Sequence, residues 1–76
     1  MHLDYDRDAD ALYITFREET RGRVVTHEVD ERRFIDRDDI GDVGVEILDV
    51  SRGVDLTGLP RREEIAALLK AIPHPV

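Results

Sequence analysis

The sequence predicts an α+β protein in which an antiparallel four-stranded β-meander is followed by one C-terminal α-helix. Apolar and polar residues alternate with period two in short segments of the first 51 residues, as in half-buried strands. After residue 58 the apolar period changes to that of a helix. We expect a single domain over residues 1–76, with the sheet over about 1–51, the helix over about 59–72 and a loose tail over 73–76.

The first two strands are predicted over His2–Asp6 and Ala11–Phe16. The link between them is short and rich in aspartate. Aspartate side chains accept hydrogen bonds from nearby backbone N–H groups, and such bonds close tight turns. We therefore assign Asp6, Asp8 and Asp10 to turn capping in a β-hairpin.

Two further strands are predicted over Val24–Val29 and Val43–Val50. The second of these has apolar residues on both faces, which favours a central or covered position in the sheet. Gly44 within it marks a bulge or a close backbone contact. Residues 34–39 either extend the third strand past a bulge or form a short strand of their own, and the pattern leaves both alternatives open.

Helical spacing follows a connector that contains two glycines. The apolar stripe consists of Ile65, Leu68, Leu69 and Ile72, with Leu59 just ahead of it. Pro60 suits the first turn of a helix, where a missing N–H costs nothing. Pro73 cannot continue the helix, so we expect it to end there.

Charge and composition restrict the function classes. The chain carries 11 Lys and Arg against 18 Asp and Glu, a net charge of −7. A negative surface repels phosphate, so we expect no nucleic-acid partner. The chain has no cysteine, which excludes a disulfide framework and a thiolate zinc site. The longest apolar run, Ile65–Leu69, is far shorter than the roughly 20 residues of a membrane span, so we expect a cytoplasmic protein without a membrane partner.

The predicted helix is too small for the predicted sheet. A helix of about twelve residues is about 18 Å long and covers a band about 10 Å across. Four strands form a sheet about 19 Å wide. The helix therefore leaves some apolar side chains of the sheet uncovered. Such uncovered side chains predict a homo-oligomer, either a dimer or a larger assembly. The candidate interface residues are Tyr13, Leu48, Val50, Leu68 and Ile72.

The sequence contains no phosphate-binding loop, dinucleotide fingerprint or zinc-protease motif. Each acidic stretch fails the calcium-loop template at its sixth position, its twelfth position or both. His27 has no metal-ligand companion at a known spacing and no evident nucleophile nearby, so we interpret it as a structural residue of the third strand. We therefore expect no catalytic residue, no cofactor and no metal ligand.

Two segments resemble a known protein family. The run from Tyr5 to Ile14 (YDRDADALYI) resembles the opening motif Y-D-x-x-A-D-A-L-Y-I of the short bacterial and archaeal proteins grouped as domain of unknown function 2283. The run from Val43 to Ser51 (VGVEILDVS) is similar to the closing motif V-G-I-E-I-L-D-A-S of that family. The resemblance implies a small antiparallel sheet with a helix, and it implies no particular activity.

Members of that family look like the small partner proteins encoded beside toxins, so the resemblance implies an antitoxin-like role. With the net charge of −7, this leads us to expect a self-associating protein-interaction module that neutralises a basic partner, rather than an enzyme. An alternative is a small ligand- or divalent-cation-binding protein or enzyme that uses the acid-rich first hairpin. A third hypothesis is a nucleic-acid contact by Arg32, Arg33, Arg61 and Arg62, presented by a dimer.

Overall fold

The computed structural model of the protein describes residues 1–71. Its elements, in chain order, are β1 (His2–Asp6), β2 (Ala11–Thr15), β3 (Val25–Asp30), β4 (Arg33–Arg37), β5 (Asp42–Ile47), a 3₁₀ turn (Val50–Arg52) and α1 (Arg62–Lys70). The prediction of one antiparallel sheet followed by one C-terminal helix is confirmed.

The sheet has five strands, so the prediction of four is wrong. Arg33–Arg37 form a strand of their own, β4, which resolves the alternative left open for residues 34–39. The chain turns back between β3 and β4, with a bulge in the β3 ladder between Glu28 and Asp30. The sequence pattern leaves β4 undecided because this strand is short, carries an arginine at each end and has only two apolar residues.

The strand order β1-β2-β5-β4-β3 also corrects the predicted meander. β5 lies between β2 and β4 and is antiparallel to both. Val43, Val45 and Ile47 of β5 are buried, which agrees with the central position expected for this segment. The most apolar strand lies in the middle of the sheet, because there both of its flanks are paired and the helix covers one of its faces, so its side chains are buried. β3, in which four of the six residues are polar, lies at the edge.

A buried carboxylate holds the long connection from β2 to the distant edge strand β3. The side chain of Asp38 is 0% exposed, and its two oxygens accept hydrogen bonds from the guanidinium of Arg17 at 2.6 and 3.0 Å. The backbone N–H of Arg21 donates to the same carboxylate at 2.7 Å. The hydrogen bond from Arg17 holds the pKa of Asp38 well below its usual range. These bonds fasten the connection to the turn between β4 and β5.

An apolar cluster lies between the sheet and α1. It consists of Leu12, Ile14, Phe16, Ile35, Val45, Ile47, Leu59 and Ile65. The strand residues of this cluster belong to β2, β4 and β5 or directly follow β2, so the helix covers the middle of the sheet. Burying each such side chain stabilises the fold by about 1.5–3 kcal/mol.

The helix is shorter than predicted. It covers Arg62–Lys70, whereas the sequence predicts about 59–72. Arg61 has a φ of 54°, which is left-handed, and the helix can begin only after it. Leu59 is buried in the turn before the helix. Ile72 and the tail predicted for residues 73–76 lie outside the described residues.

Candidate interaction surface

β3 is an edge strand, and all six of its residues are exposed. One flank pairs with β4, while the other flank has no strand neighbour within residues 1–71. Val24, Val25 and Val29 keep 41%, 45% and 39% of their accessible surface. An exposed edge that carries β-branched apolar side chains is a template for pairing with another strand.

The hydrogen bonds at the ends of β5 determine which backbone groups face each neighbour. The N–H of Phe16 donates to the carbonyl of Val43 at 2.7 Å, and the N–H of Leu48 donates to the carbonyl of Arg32 at 2.7 Å. Bonded pairs alternate along an antiparallel ladder. Odd-numbered residues of β5 therefore bond toward β2 and even-numbered residues toward β4. It follows that odd-numbered residues of β4 bond toward β3.

The same alternation identifies the free backbone groups of β3. Val25 and His27 pair with odd-numbered residues of β4, so their N–H and C=O groups bond inward. The N–H and C=O groups of Thr26 and Glu28 therefore point away from the sheet. This flank offers two residues with free donors and acceptors before the bulge interrupts the strand.

The helix-side face of β3 is not covered by the apolar cluster. His27 lies on that face because it pairs with Ile35, which is buried in the cluster. Val25, two residues away, shares the face. Since α1 buries Ile65 against residues from the middle of the sheet, β3 projects beyond it. The sequence predicts a sheet that is wider than the helix can cover, and this uncovered part of the sheet lies at the β3 edge.

On the opposite face a polar stripe crosses four strands. The hydroxyl of Tyr13 donates to Asp36 at 2.7 Å, and the hydroxyl of Thr26 donates to the other oxygen of Asp36 at 2.6 Å. Tyr13 crosses over Gly44, where an added Cβ would lie 2.8 Å from the tyrosine hydroxyl, so the close contact expected at this glycine exists. Burial, and then the hydrogen bond to Asp36, raise the pKa of Tyr13 and keep it a donor.

A second polar cluster, which we call the hairpin clasp, joins Tyr5, Asp10 and Ser51. The Asp10 carboxylate accepts the hydroxyl of Tyr5 at 3.0 Å, the hydroxyl of Ser51 at 2.6 Å and the N–H of Ser51 at 3.0 Å. The hydrogen bond from the Ser51 hydroxyl lowers the pKa of Asp10. The clasp ties the turn of the first hairpin to the chain that leaves β5.

The three turn aspartates have different positions. One Asp6 oxygen accepts the N–H groups of Asp8 at 3.0 Å and Ala9 at 3.2 Å, so Asp6 closes the turn. Asp8 is exposed and contributes its N–H to that turn. Asp10 adopts a left-handed φ of 52° and belongs to the clasp.

The structure places the candidate interface residues in separate parts of the chain. Tyr13 lies half-buried in the polar stripe, and Leu48 is half-buried just after β5. Val50 packs against the apolar cluster, and Leu68 is half-buried on α1. Ile72 lies outside the described residues. The exposed valines of β3 were not among these candidates, although their alternation had identified the strand.

Two arginines with no assigned structural role in the sequence hold the connector between β5 and α1. The guanidinium of Arg32 donates to the carbonyls of Asp49 at 2.7 Å and Gly53 at 2.8 Å. Arg33 is only 9% exposed and donates to the carbonyl of Thr57. Both guanidinium groups therefore bond to the protein itself, which weakens the hypothesis that they contact nucleic acid.

The N-terminus of α1 carries a surface ion pair. Arg61 donates to the Glu64 carboxylate at 2.6 and 3.0 Å, and its guanidinium lies 5.1 Å from the centre of the Phe16 ring. A depression of about 370 Å³ opens to solvent here. It is lined by Leu59, Arg61, Arg62, Glu63 and Glu64. Four of these five lining residues are charged, and two of them, Arg61 and Glu64, pair with each other.

Within the described part of the chain, no three His, Cys, Asp or Glu side chains are grouped as metal ligands would be. Over residues 1–71, no helix has the length and apolar character needed to cross a membrane. In the acid-rich hairpin, Asp6 and Asp10 accept hydrogen bonds from donors of the protein itself.

Residues 2–51 match the model of a family described as "Protein of unknown function (DUF2283)". The chain belongs to this family. The resemblance inferred from its two motifs is therefore confirmed at the level of the family. The matched segment contains all five strands and the hairpin clasp, while α1 lies beyond it. Comparisons with curated proteins and with solved structures gave no match. The family description assigns no activity.

Proposed function

We propose that the protein is a small acidic protein-interaction module that self-associates and neutralises a basic protein partner, in an antitoxin-like role. The observation that carries the proposal is the edge strand β3. It combines free backbone groups at Thr26 and Glu28 with exposed apolar side chains at Val25 and Val29. An edge of this kind gains main-chain hydrogen bonds and apolar burial from a partner strand.

The charge distribution supports a basic partner. The net charge is −7, and several of the 11 basic residues are bonded within the protein. Arg17 pairs with Asp38, and Arg32 and Arg33 hold the connector. Exposed acids such as Asp4 and Asp8 face solvent. The field outside the protein is therefore dominated by carboxylates, which accelerates encounters with a positive surface.

The two kinds of association respond to salt in opposite directions. Two copies that each carry −7 repel, so screening by added salt strengthens self-association. A basic partner is attracted by the same charge, so added salt weakens that complex. Salt dependence therefore distinguishes the two halves of the proposal.

Sedimentation equilibrium over a range of protein concentrations, at low and at high salt, tests self-association. We expect a monomer–oligomer equilibrium that shifts toward the oligomer in high salt. A monomer at millimolar concentration under both conditions would remove this half of the proposal.

Affinity capture of the tagged protein from its native lysate tests the other half. We expect a basic protein in equal amounts that is released by salt, and that raises the melting temperature of the purified module when added back. A captured protein that leaves the melting temperature unchanged would contradict a specific complex.

The alternative of a cation or small-ligand site in the acid-rich hairpin has less support from the geometry. The oxygens of Asp6 and Asp10 that face the turn already accept bonds from Asp8, Ala9 and Ser51. Calorimetric titration with calcium, magnesium and manganese tests this alternative. A saturable signal that Asp10→Asn abolishes would establish it over the interaction module.

A further inference from the structure

We infer that the occupant of the free β3 edge is β3 of a second copy of this chain, antiparallel to the first and related to it by a two-fold axis at His27. The inference rests on the self-association proposed above and adds the partner segment and its register. The product is one continuous sheet of ten strands, five from each copy.

The residue pattern of β3 is symmetric about its middle. The sequence Val25-Thr26-His27-Glu28-Val29 has an apolar residue at each end, a polar residue inside each end, and His27 at the centre. A two-fold antiparallel pairing at His27 sets Val25 of each copy opposite Val29 of the other. Val25 lies on the helix-side face beside His27 and is 45% exposed, while Val29, at the bulge that ends the regular ladder, is 39% exposed. Cross-strand pairs of β-branched residues stabilise a sheet.

The free backbone groups allow three two-fold registers, because Thr26 and Glu28 must bond across the axis. Centring on Glu28 sets two carboxylates opposite each other, which destabilises the pair. Centring on Thr26 sets Val25 opposite His27, and Val29 opposite the charged Arg23. Centring on His27 sets Thr26 opposite Glu28 and valine opposite valine. This register matches both the hydrogen-bonding and the apolar groups.

The pairing at His27 also suits the ends of the strand. Thr26 and Glu28 of each copy form two bonded pairs, or about four main-chain hydrogen bonds. At Val29 the bulge shifts the strand and limits the regularly paired segment. Just outside that segment, the axis brings Arg23 of one copy toward Glu31 of the other, which are opposite charges. This offsets part of the repulsion between two acidic copies.

Single cysteine variants determine the register, because the natural chain has no cysteine. In the inferred register His27 faces its counterpart in a non-hydrogen-bonded pair, with Cα atoms about 4.5 Å apart, within the reach of a disulfide. Thr26 faces Glu28 instead, so it lies about 7 Å or more from its own counterpart and cannot bridge. The full chain carrying His27→Cys, Thr26→Cys or Glu28→Cys is oxidised mildly and separated without reductant.

We expect a covalent dimer with His27→Cys, and none with Thr26→Cys or Glu28→Cys. Asp8→Cys, at an exposed position in the turn of the first hairpin, is the control and should give no covalent dimer. Cross-linking of Thr26→Cys or Glu28→Cys in place of His27→Cys overturns the inferred register. Absence of cross-linking at all three β3 positions, in a protein that sediments as an oligomer, overturns the β3 pairing and leaves the proposed function standing. A monomer by sedimentation contradicts both self-association and this inference.

A second pair of variants tests the edge without disulfide chemistry. Val25→Lys places a charge in the inferred interface, and we expect it to weaken self-association at least about tenfold, since two valine pairs are lost. Ile40→Lys makes the same charge change at an apolar residue that is 66% exposed and lies in the β4–β5 turn. We expect Ile40→Lys to leave self-association near the wild-type value. Equal weakening by both variants would overturn the inference, because it would place the interface elsewhere.

Discussion

The two edge strands of the sheet, β1 and β3, differ in how their side chains contact the rest of the protein. At β1, Leu3 packs against the apolar cluster, and the hydroxyl of Tyr5 is bonded to Asp10. At β3 all six residues are exposed, and Val25 and Val29 lie outside the cluster. One edge is therefore tied to the core by its side chains, while the other extends beyond it.

The two edge strands differ in the residues that would face each other if each strand paired with the same strand of a second copy. At β1 the outward backbone groups belong to Leu3 and Tyr5, so the two-fold pairing that bonds Leu3 to Tyr5 of the other copy sets Asp4 against its own counterpart. Two facing carboxylates oppose association. At β3 the same operation sets His27 against its counterpart and valine against valine. In this pairing a central acid disfavours association at β1, whereas the pairing inferred for β3 has no acid at its centre.

The largest expected effect separates the covered middle of the sheet from the open edge. Ile65 is 0% exposed, so Ile65→Ala should lower the free energy of unfolding by about 2–5 kcal/mol through lost burial and a cavity. Val29→Ala should change it by less than about 0.5 kcal/mol in the monomer. Urea unfolding at low protein concentration measures both. A loss of about 2 kcal/mol or more for Val29→Ala would mean that β3 is packed.

The next effect concerns the polar stripe that links β3 to the middle of the sheet. A Cβ at Gly44 would lie 2.6 Å from the carbonyl oxygen of Ile14 and 2.8 Å from the Tyr13 hydroxyl. Gly44→Ala should therefore cost about 1–3 kcal/mol of stability. Tyr13→Phe keeps the ring and removes one hydrogen bond, at about 0.5–1.5 kcal/mol. Thermal unfolding compares the two, and a Gly44→Ala protein as stable as wild type would contradict the close contact.

Protonation of two carboxylates that position the edges of the sheet should lower the stability of the fold in acid. The folded-state pKa values of Asp10 and Asp38 are both lowered, by Ser51 and Arg17 respectively. Their stabilisation is complete above the unfolded pKa of about 3.9 and is lost as pH falls through the folded values. We expect the urea midpoint to be level near neutrality and to fall below about pH 4.

Substitutions assign this acid response to its residues. Asp38→Asn should lower the midpoint at pH 7 and flatten the acid limb, because the titrating group is gone. Arg17→Gln removes the cause of the shift and should flatten the limb in the same way, with a non-additive double variant. An Asp38→Asn protein with the full wild-type slope would show that other carboxylates govern the acid response.

The smallest expected effect comes from a substitution that makes the β1 edge more similar to the β3 edge. Asp4→Val removes the facing acids at β1 and should add a weak second association, about threefold tighter than any wild-type contact there. Asp8→Val makes the same charge change in the exposed turn and serves as the control. Sedimentation at high protein concentration measures both variants. Equal behaviour would mean that net charge, and not the edge acid, keeps β1 apart.

Local patterns account for most elements but for little of their arrangement. The alternation over His2–Asp6 and Ala11–Phe16 predicts both strands of the first hairpin to within one residue, because each signal is contained within a few residues. The pattern at residues 34–39 does not distinguish β4 from an extension of the third strand, because the two apolar residues of β4 lie between arginines. The clasp between Asp10 and Ser51 joins residues 41 positions apart, and nothing in either neighbourhood indicates the other.

The sequence alone determined the antiparallel strands, the single helix, the acidic charge and the surplus of sheet surface, since each follows from local period or composition. Only the tertiary structure decided that β5 lies between β2 and β4, and that β3 therefore lies at the open edge. An alternating strand has the same pattern at an edge as it has near the centre. Its position results from competition among all strands for the area that one short helix can cover, and that competition is not local.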